Sequence, residues 1–193
     1  MYRYNRDVPR DRSRTTVVRA AIVAAAADIV DREGWRALTL SDVARALGRH
    51  PSSMYAHVTN LDDLRQEIAL LAMDELADAV WRAALGKVGA DALRAIAEEY
   101  RQYAERYPGR TTSLSSVDEN EPAYAARAER LHEPLAATFA SFGLTHEQGL
   151  VAHRVFGATV DGLVRTGASK DLEQAVDVFV KAIGTGDWPS TAS

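Results

Sequence analysis

The chain has 193 residues, 47% hydrophobic and 26% charged, with 23 Lys and Arg against 27 Asp and Glu and no cysteine. That balance suits a globular protein with one substantial core or two small ones, and it excludes disulfides and cysteine-ligated zinc or iron–sulfur centres. The opening MYRYNRDVPRDRSR is charged and lacks the apolar core of a secretory signal, and no run approaches the roughly 18 apolar residues of a membrane span. A cytoplasmic protein without a membrane partner is expected. The net charge of −4 conceals an asymmetry. Residues 1–60 hold 10 Lys and Arg against 6 Asp and Glu, whereas residues 61–193 hold 13 against 21. A basic segment gains from releasing the counterions of a polyanion, and an acidic one is repelled by it, so only the first sixty residues suit DNA. The chain accordingly divides into domains 1–60 and 61–193.

In chain order, Val18, Ile22, Ala25 and Ile29 recur at helical spacing in an alanine-rich stretch from about Thr15 to Glu33, and Gly34 is its stop. Trp35 reads as core packing at that turn. Thr39 precedes Asp42 by three positions, the spacing at which a hydroxyl caps the Asp42 amide while the carboxylate reaches back. Val43, Ala44 and Leu47 face inward on this short second helix, which ends at Gly48. Pro51 suits a first helical position, so Ser52 to Val58 is predicted as two turns of a third helix. Asn60 caps a fourth, with Asp62 and Asp63 complementing its dipole and Leu64, Ile68, Leu71 and Leu76 as its stripe toward Gly86.

Further helical runs cover about Asp91 to Tyr107, Pro122 to Phe142, Thr145 to Thr166 and Asp171 to Ile183. Thr145 with Gln148 repeats the capping-box spacing, and no window alternates as a strand does, so the fold is predicted to be all-α. The stretch Gly109 to Asn120 has no helical pattern and reads as a loop, and Gly184 to Ser193 as a frayed tail.

Two short helices joined by a tight glycine turn describe a helix-turn-helix. The string LTLSDVARALGRHPSSMYAHVTNLDDL, Leu38 to Leu64, resembles the TetR family signature in its leucine-threonine start, its Val-Ala pair, Ala46-Leu47-Gly48, Met54-Tyr55, His57-Val58 and Asn60. The resemblance is specific over about Val18 to Leu71. It implies an N-terminal three-helix DNA-binding domain followed by a helical domain for ligand binding and dimerisation. The function implied is a ligand-responsive regulator, a repressor in most of the family, acting on a palindromic operator of double-stranded DNA as a homodimer. No cofactor, metal or catalytic residue is implied, and the chain is not expected to be an enzyme.

By matching positions, Pro51, Ser52 and Ser53 would lie at the groove floor, and Tyr55 would contact phosphate or a thymine methyl. His57 would contact phosphate, Arg45 and Arg49 would add flanking charge, and Thr39 would position the second helix at the backbone. Leu40 and Leu61 depart from the family, which often has threonine and lysine there as phosphate contacts. Ala56 replaces a larger aromatic or histidine. Arg3, Arg6, Arg10, Arg12 and Arg14 form an arm suited to a minor groove, diluted by Asp7 and Asp11.

The resemblance also implies a dimer built from the last two helices. Leu150, Val151, Val155, Val160, Leu163 and Val164, with Leu172, Ala175, Val176, Phe179 and Val180, supply more apolar surface than two terminal helices need for one side, which allows such a dimer. Gly149, Gly157 and Gly162 each cost a helix interior roughly 1 kcal/mol against alanine, which close helix approach, within or between subunits, would offset. For an unknown small-molecule effector the candidates are Trp81, Tyr103, Tyr107, His132, His153 and Phe156, with Tyr100, Arg110 and Phe139 in the same region. The Tyr100, Tyr103 and Tyr107 stripe has an equally physical reading as core packing.

Two other classes compete. An all-helical enzyme lacks support, since no HExxH, paired Glu-x-x-His, phosphate-binding glycine loop or Gly-x-Ser-x-Gly occurs. His146 and His153, seven apart, share one helical face without a carboxylate pattern around them. An interaction module that retains the helix-turn-helix as scaffold without DNA binding is favoured by Leu40 and Leu61.

Overall fold

A computed structural model describes residues 12–116, 120 and 122–184. Among the described residues eight α-helices run in chain order: α1 (Arg12–Glu33), α2 (Leu40–Ala46), α3 (Leu61–Ala84), α4 (Gly89–Arg106), α5 (Pro108–Ser113), α6 (Tyr124–Ser141), α7 (His146–Arg165) and α8 (Leu172–Gly184). Short 3-10 turns occupy Trp35–Ala37, Pro51–Ala56, Leu114–Ser116 and Ser169–Asp171. Among the described residues every element is helical, and no helix is long and apolar enough to cross a membrane. The chain forms two compact units, Met1–Ile68 and Ala69–Ser193.

In the first unit the core is made by Ile22, Ala26, Ala27, Ile29 and Val30 of α1, Val43 and Ala44 of α2, Met54, Val58, and Leu64 and Ile68 of α3. Ala26 and Ala27 of α1 lie fully buried, and small side chains there let neighbouring elements pack close. Removing a Leu-, Ile- or Met-sized side chain from water contributes about 1.5–3 kcal/mol, so this short list is enough to hold a small three-helix unit. Trp35 is half-buried rather than part of that core.

The ends of α2 are fixed by local chemistry. The Asp42 amide donates to the Thr39 hydroxyl oxygen at 3.1 Å, as the capping spacing predicts. The Asp42 carboxylate does not return to the Thr39 amide. It accepts from the Thr39 hydroxyl at 2.5 Å and from Arg45, one turn along, at 2.5 Å. At the other end the Gly48 amide donates to the Arg45 carbonyl at 3.1 Å and the Arg49 amide to the Ala44 carbonyl at 2.8 Å. That pair of bonds is a Schellman motif, and it demands the left-handed φ of +63° that Gly48 adopts.

The second unit is organised around Phe139, Phe156 and Phe179, whose ring centroids lie 5.3–6.2 Å apart in tilted or edge contacts. Leu76, Val80, Leu93, Ile96, Val160, Val176 and Ile183 complete this core. Thr145 and Gln148 form the predicted capping box, with the Thr145 amide donating to Gln148 Oε1 at 3.0 Å and the Gln148 amide to Thr145 Oγ1 at 3.3 Å.

Three expectations are corrected. The stretch read as a loop from Gly109 begins instead as α5, because Pro108 stops α4 and also serves as the first residue of the next helix, where its missing N–H is no loss. Gly109, Arg110, Thr111 and Ser113 are buried there, and the Thr111, Thr112 and Ser113 hydroxyls donate back to carbonyls three or four residues earlier. Residues 117–119 and 121 lie outside the described residues, as does the predicted frayed tail beyond Gly184. The third predicted helix is a 3-10 turn over Pro51–Ala56. Its Ser53 amide donates to the His50 carbonyl at 3.0 Å and the His57 amide to the Met54 carbonyl at 2.8 Å, three residues back in each case. Close approach within the chain does not explain the α7 glycines: a Cβ at Gly149 would meet Phe139 at an ordinary 3.9 Å, and at Gly157 or Gly162 it would meet nothing within 4 Å. Of the apolar residues on the last two helices, Val160, Leu172, Val176 and Phe179 form part of the unit's own core, while Leu150 and Val155 stay exposed.

Candidate nucleic-acid interface and small-molecule cavity

The first candidate site is the Thr39 to Asn60 segment of the first unit. Thr39, Arg45, Arg49, Ser52 and Tyr55 are exposed, whereas Pro51, Ser53 and His57 are half-buried. Tyr55 has the greatest significance, because a large aromatic ring is 64% exposed on a turn whose other large side chain, Met54, is fully buried. Local bonds set the shape of this turn. His50 caps it, its Nδ1 lying 2.9 Å from Ser52 Oγ and accepting weakly from the Ser52 amide at 3.4 Å, while the Ser53 hydroxyl donates to the His50 carbonyl at 2.7 Å. Both serine hydroxyls therefore have internal partners and retain lone pairs for a further bond. Arg45 is held by Asp42, whose carboxyl the Thr39 hydroxyl and then Arg45 keep below its usual range. His57 has its Nδ1 buried without a partner among the described residues. Leu40 and Leu61 are half-buried and Ala56 is exposed.

Sequence reading missed Arg19. Its guanidinium donates to the His57 carbonyl at 2.5 Å, to Asp63 Oδ1 at 2.9 Å and to Glu67 Oε1 at 2.9 Å, so one α1 side chain ties the end of the 3-10 turn to the first two turns of α3. Asp63 is in turn part of the α3 cap. Its carboxylate accepts from the Thr59 amide at 2.8 Å, and its own amide donates to Asn60 Oδ1 at 2.8 Å. Burial pushes the Asp63 carboxyl up, but the Thr59 amide and Arg19 outweigh it and leave the group below its ordinary value. The available signal was an arginine inside an otherwise alanine-rich, apolar run. The arm residues Arg3, Arg6 and Arg10 lie outside the described residues, and so do the side chains of Arg12 and Arg14.

The six effector candidates fall in three separate places in the second unit. His132, His153 and Phe156 come together with Leu76, Val80, Tyr100 and Leu135 around a cavity of about 120 Å³. Tyr103 and Tyr107 border a polar cleft beside Glu75, Arg82 and Arg106. Trp81, 37% exposed, borders a third hollow with Leu85 and Val88. Tyr103 is largely structural, because its hydroxyl donates to Glu75 Oε2 at 3.0 Å and its ring lies 5.1 Å from that of Tyr107. Arg110, 6% exposed, stacks 4.5 Å from the Tyr107 ring and reaches Glu75 at 3.4 Å. Phe139 lies in the core.

In the first of these cavities the His132 and His153 rings meet edge-on with centroids 4.2 Å apart. Burial, reinforced by His132 and Arg154, pushes the His153 imidazole down to about 4, and burial also lowers His132. Both rings are thus neutral near pH 7. The Tyr100 hydroxyl donates to Asp161 Oδ1 at 2.7 Å. Among the described residues no group of three or more His, Cys, Asp or Glu is arranged to hold a metal ion.

No protein-family model matches the chain. A curated relative does: the uncharacterized HTH-type transcriptional regulator Rv0681 of Mycobacterium tuberculosis is 32% identical over 160 residues, covering 80% of this chain and 73% of the relative. The TetR family transcriptional regulator PfmR from Thermus thermophilus superposes with a TM-score of 0.60 at 25% identity, covering 84% of this chain and 92% of that one. The chain belongs to the TetR family. It is a transcriptional regulator of the TetR type, with the family's all-α fold and a helix-turn-helix in its first unit. A second solved structure, that of BioQ with its double-stranded DNA operator, shares the fold at a TM-score of 0.66 and 18% identity, covering 86% of this chain and 98% of that one.

Proposed function

We propose that this TetR-type regulator is a repressor that binds a palindromic operator as a homodimer, and that a small molecule in the Ala69–Ser193 unit modulates its DNA affinity. The observation that carries the DNA reading is the exposed Tyr55 ring on a turn rigidly set between two caps, flanked by exposed Arg45 and Arg49. An aromatic ring there offers apolar contact to a thymine methyl and a hydroxyl to phosphate, while the arginines and the Ser52 hydroxyl reach the backbone. Thr39 and Pro51 set the approach of α2 and of the turn, and Ser53 and His57 join through their remaining polar atoms. BioQ, which shares the fold, was solved with its operator, and that supports the reading.

The dimer would form on α7 and α8. Leu150, Val155 and Val178 are 47%, 45% and 61% exposed there, and Gly157 and Gly162 leave open backbone that a second copy can approach. Two recognition turns would then meet successive major grooves about 34 Å apart, and an effector acts by favouring a conformer in which they no longer match. The relatives being regulators, we read the protein as a regulator in the cytoplasm and not as an enzyme.

The test is selection of bound duplexes from a random DNA pool, repeated with Tyr55→Ala and Arg49→Ala together. These side chains are exposed, so the variant keeps its fold. An inverted repeat enriched by the wild type, bound with a steep salt dependence, and lost in the variant is the expected result. Absence of enrichment at low salt, with no effector needed to restore it, would move the weight to an interaction module built on the same scaffold.

A further inference from the structure

The cavity holding His132 and His153 is apolar on most of its wall, with Leu76 and Val80 from α3, Leu135 from α6 and Phe156 from α7. Its volume of about 120 Å³, partly open to solvent, is somewhat below that of an engineered enclosed apolar cavity, about 150 Å³, that takes up benzene. A ring-sized apolar body therefore fits. The polar equipment decides what that body carries. No Asp, Glu, Lys or Arg is among the described residues that line the cavity. The nearest charges stand behind the wall: Asp161 accepts from Tyr100, Arg165 lies 3.7 Å from Asp161, and Arg154 flanks His153. A carboxylate entering here meets no cation in the cavity lining, and for an imidazole to serve as one it would have to take up a proton from solvent, which burial, the neighbouring imidazole and Arg154 all disfavour. A cation fares no better, since no carboxylate lines the cavity among the described residues and Asp161, behind Tyr100, is already shared between Tyr100 and Arg165.

One polar atom is left over. His153 Nδ1 is buried and has no hydrogen-bond partner among the described residues, a costly arrangement that a bound group would relieve once a turn of the ring brings that nitrogen to the cavity surface. A neutral imidazole carries one donor and one acceptor nitrogen, and which role Nδ1 plays depends on the tautomer. A hydroxyl group matches either role, whereas a ketone or ether matches only one.

We infer that the effector cavity takes a neutral, predominantly apolar molecule of about single-ring size bearing one hydroxyl group, with a phenol as the best-matched class and His153 as its hydrogen-bond partner. This rests on the effector reading given above and specifies its chemistry.

Calorimetric titration of the full chain at pH 7.5 with 4-methylphenol, toluene and 4-methylbenzoate tests it. The phenol stays protonated at that pH, since phenolic hydroxyls titrate near ~10. The expected order is 4-methylphenol tightest, toluene about tenfold weaker for want of one hydrogen bond, and 4-methylbenzoate weakest. His153→Phe should bring 4-methylphenol down to the level of toluene while leaving toluene within about twofold, a pattern that general damage to the cavity does not produce. Should that variant fail to fold, nitrogen NMR of histidine-labelled wild type gives the same answer, through a shift of the His153 Nδ1 resonance on adding 4-methylphenol but not toluene. Tightest binding by 4-methylbenzoate, equal binding of the phenol and toluene, or no binding by any of the three overturns the inference. Operator binding is measured separately by fluorescence anisotropy. Operator binding with no uptake of these rings sinks the inference alone, and uptake without operator binding sinks the regulator reading alone.

Discussion

In the helix-turn-helix of the first unit, the hydrogen bonds that shape the Thr39 to Asn60 segment, apart from the one Arg19 makes to the His57 carbonyl, join residues no more than five positions apart, as in Thr39 with Asp42, Arg49 with Ala44, His50 with Ser52 and Thr59 with Asp63. In the second unit the His132–His153 cavity gathers side chains from Leu76 to Val160 on four helices. The first arrangement is written in short spacings that a reader of the sequence can recognise. The second exists only once distant helices have packed, so its residue types are visible in advance and their grouping is not. The chemistry differs too. The 3-10 turn over Pro51–Ala56 keeps its polar side chains exposed or bonded locally, while the cavity removes two imidazoles from much of their water.

The largest effect that sharpens this contrast is on pH stability. Burial holds His153 at about 4, against 6.5 for a free imidazole, so the folded state disfavours the proton that the unfolded state accepts. The associated stability is fully present above about pH 6.5 and is lost as the pH falls from there toward 4. Urea unfolding of wild type at pH 7 and pH 4 should differ by about 2–3 kcal/mol more than it does for His153→Phe, which has no proton to bind. The comparison between the two proteins cancels the carboxylates, whose effects appear in both. Equal losses in wild type and variant would mean that the cavity is wetter than its lining implies.

Arg19 is the place where the contrast breaks. It belongs to the first unit, yet its partners His57, Asp63 and Glu67 lie 38, 44 and 48 residues away. Arg19→Met keeps the aliphatic stem and removes a carbonyl's donor and two carboxylates' counter-ion. The side chains are about a quarter to a third exposed, so water screens part of the loss, and about 2 kcal/mol is expected in urea unfolding rather than the larger cost of a buried pair. Arg19→Lys should recover less than half, because an ammonium does not present the guanidinium fork to three acceptors at once. A loss within experimental error for Arg19→Met would show that local caps alone position the recognition turn.

Legibility followed the same line. The caps at Thr39, Asn60 and Thr145 and the stops at Gly34 and Gly48 were readable because each is a fixed spacing with one physical meaning. The 3-10 character of Pro51–Ala56 was not, since proline at a first position and a short polar run suit either helix type. Helix α5 was hidden because Pro108-Gly109 ends one helix in a way that also begins another. Tyr103 and Tyr107 looked like partners of His132 and His153, but the first pair sits by a different cleft with Glu75. Nothing in the spacing of residues 76 to 160 distinguishes those two neighbourhoods.

The smallest effect separates local backbone chemistry from open space, using one substitution at two glycines. A Cβ at Gly48 would meet nothing within 4 Å, so Gly48→Ala introduces no clash and its whole cost is the left-handed φ of +63° imposed by the Schellman bonds. About 1–2 kcal/mol of stability should be lost, because that backbone region brings the alanine Cβ against its own carbonyl. A Cβ at Gly162 also meets nothing within 4 Å, but there the backbone is the ordinary interior of α7. Gly162→Ala should raise stability by up to about 1 kcal/mol through helix propensity, provided that it is measured in a Val155→Glu background that keeps the proposed dimer apart. In the dimeric protein the same methyl occupies backbone that the second copy would approach, and the gain should shrink or reverse. Opposite signs at Gly48 and Gly162, with the Gly162 sign dependent on assembly, would separate a glycine needed for its own turn from one available to a second copy. A loss at Gly162 that persists in the monomeric background would instead mean that α7 is constrained from within its own unit.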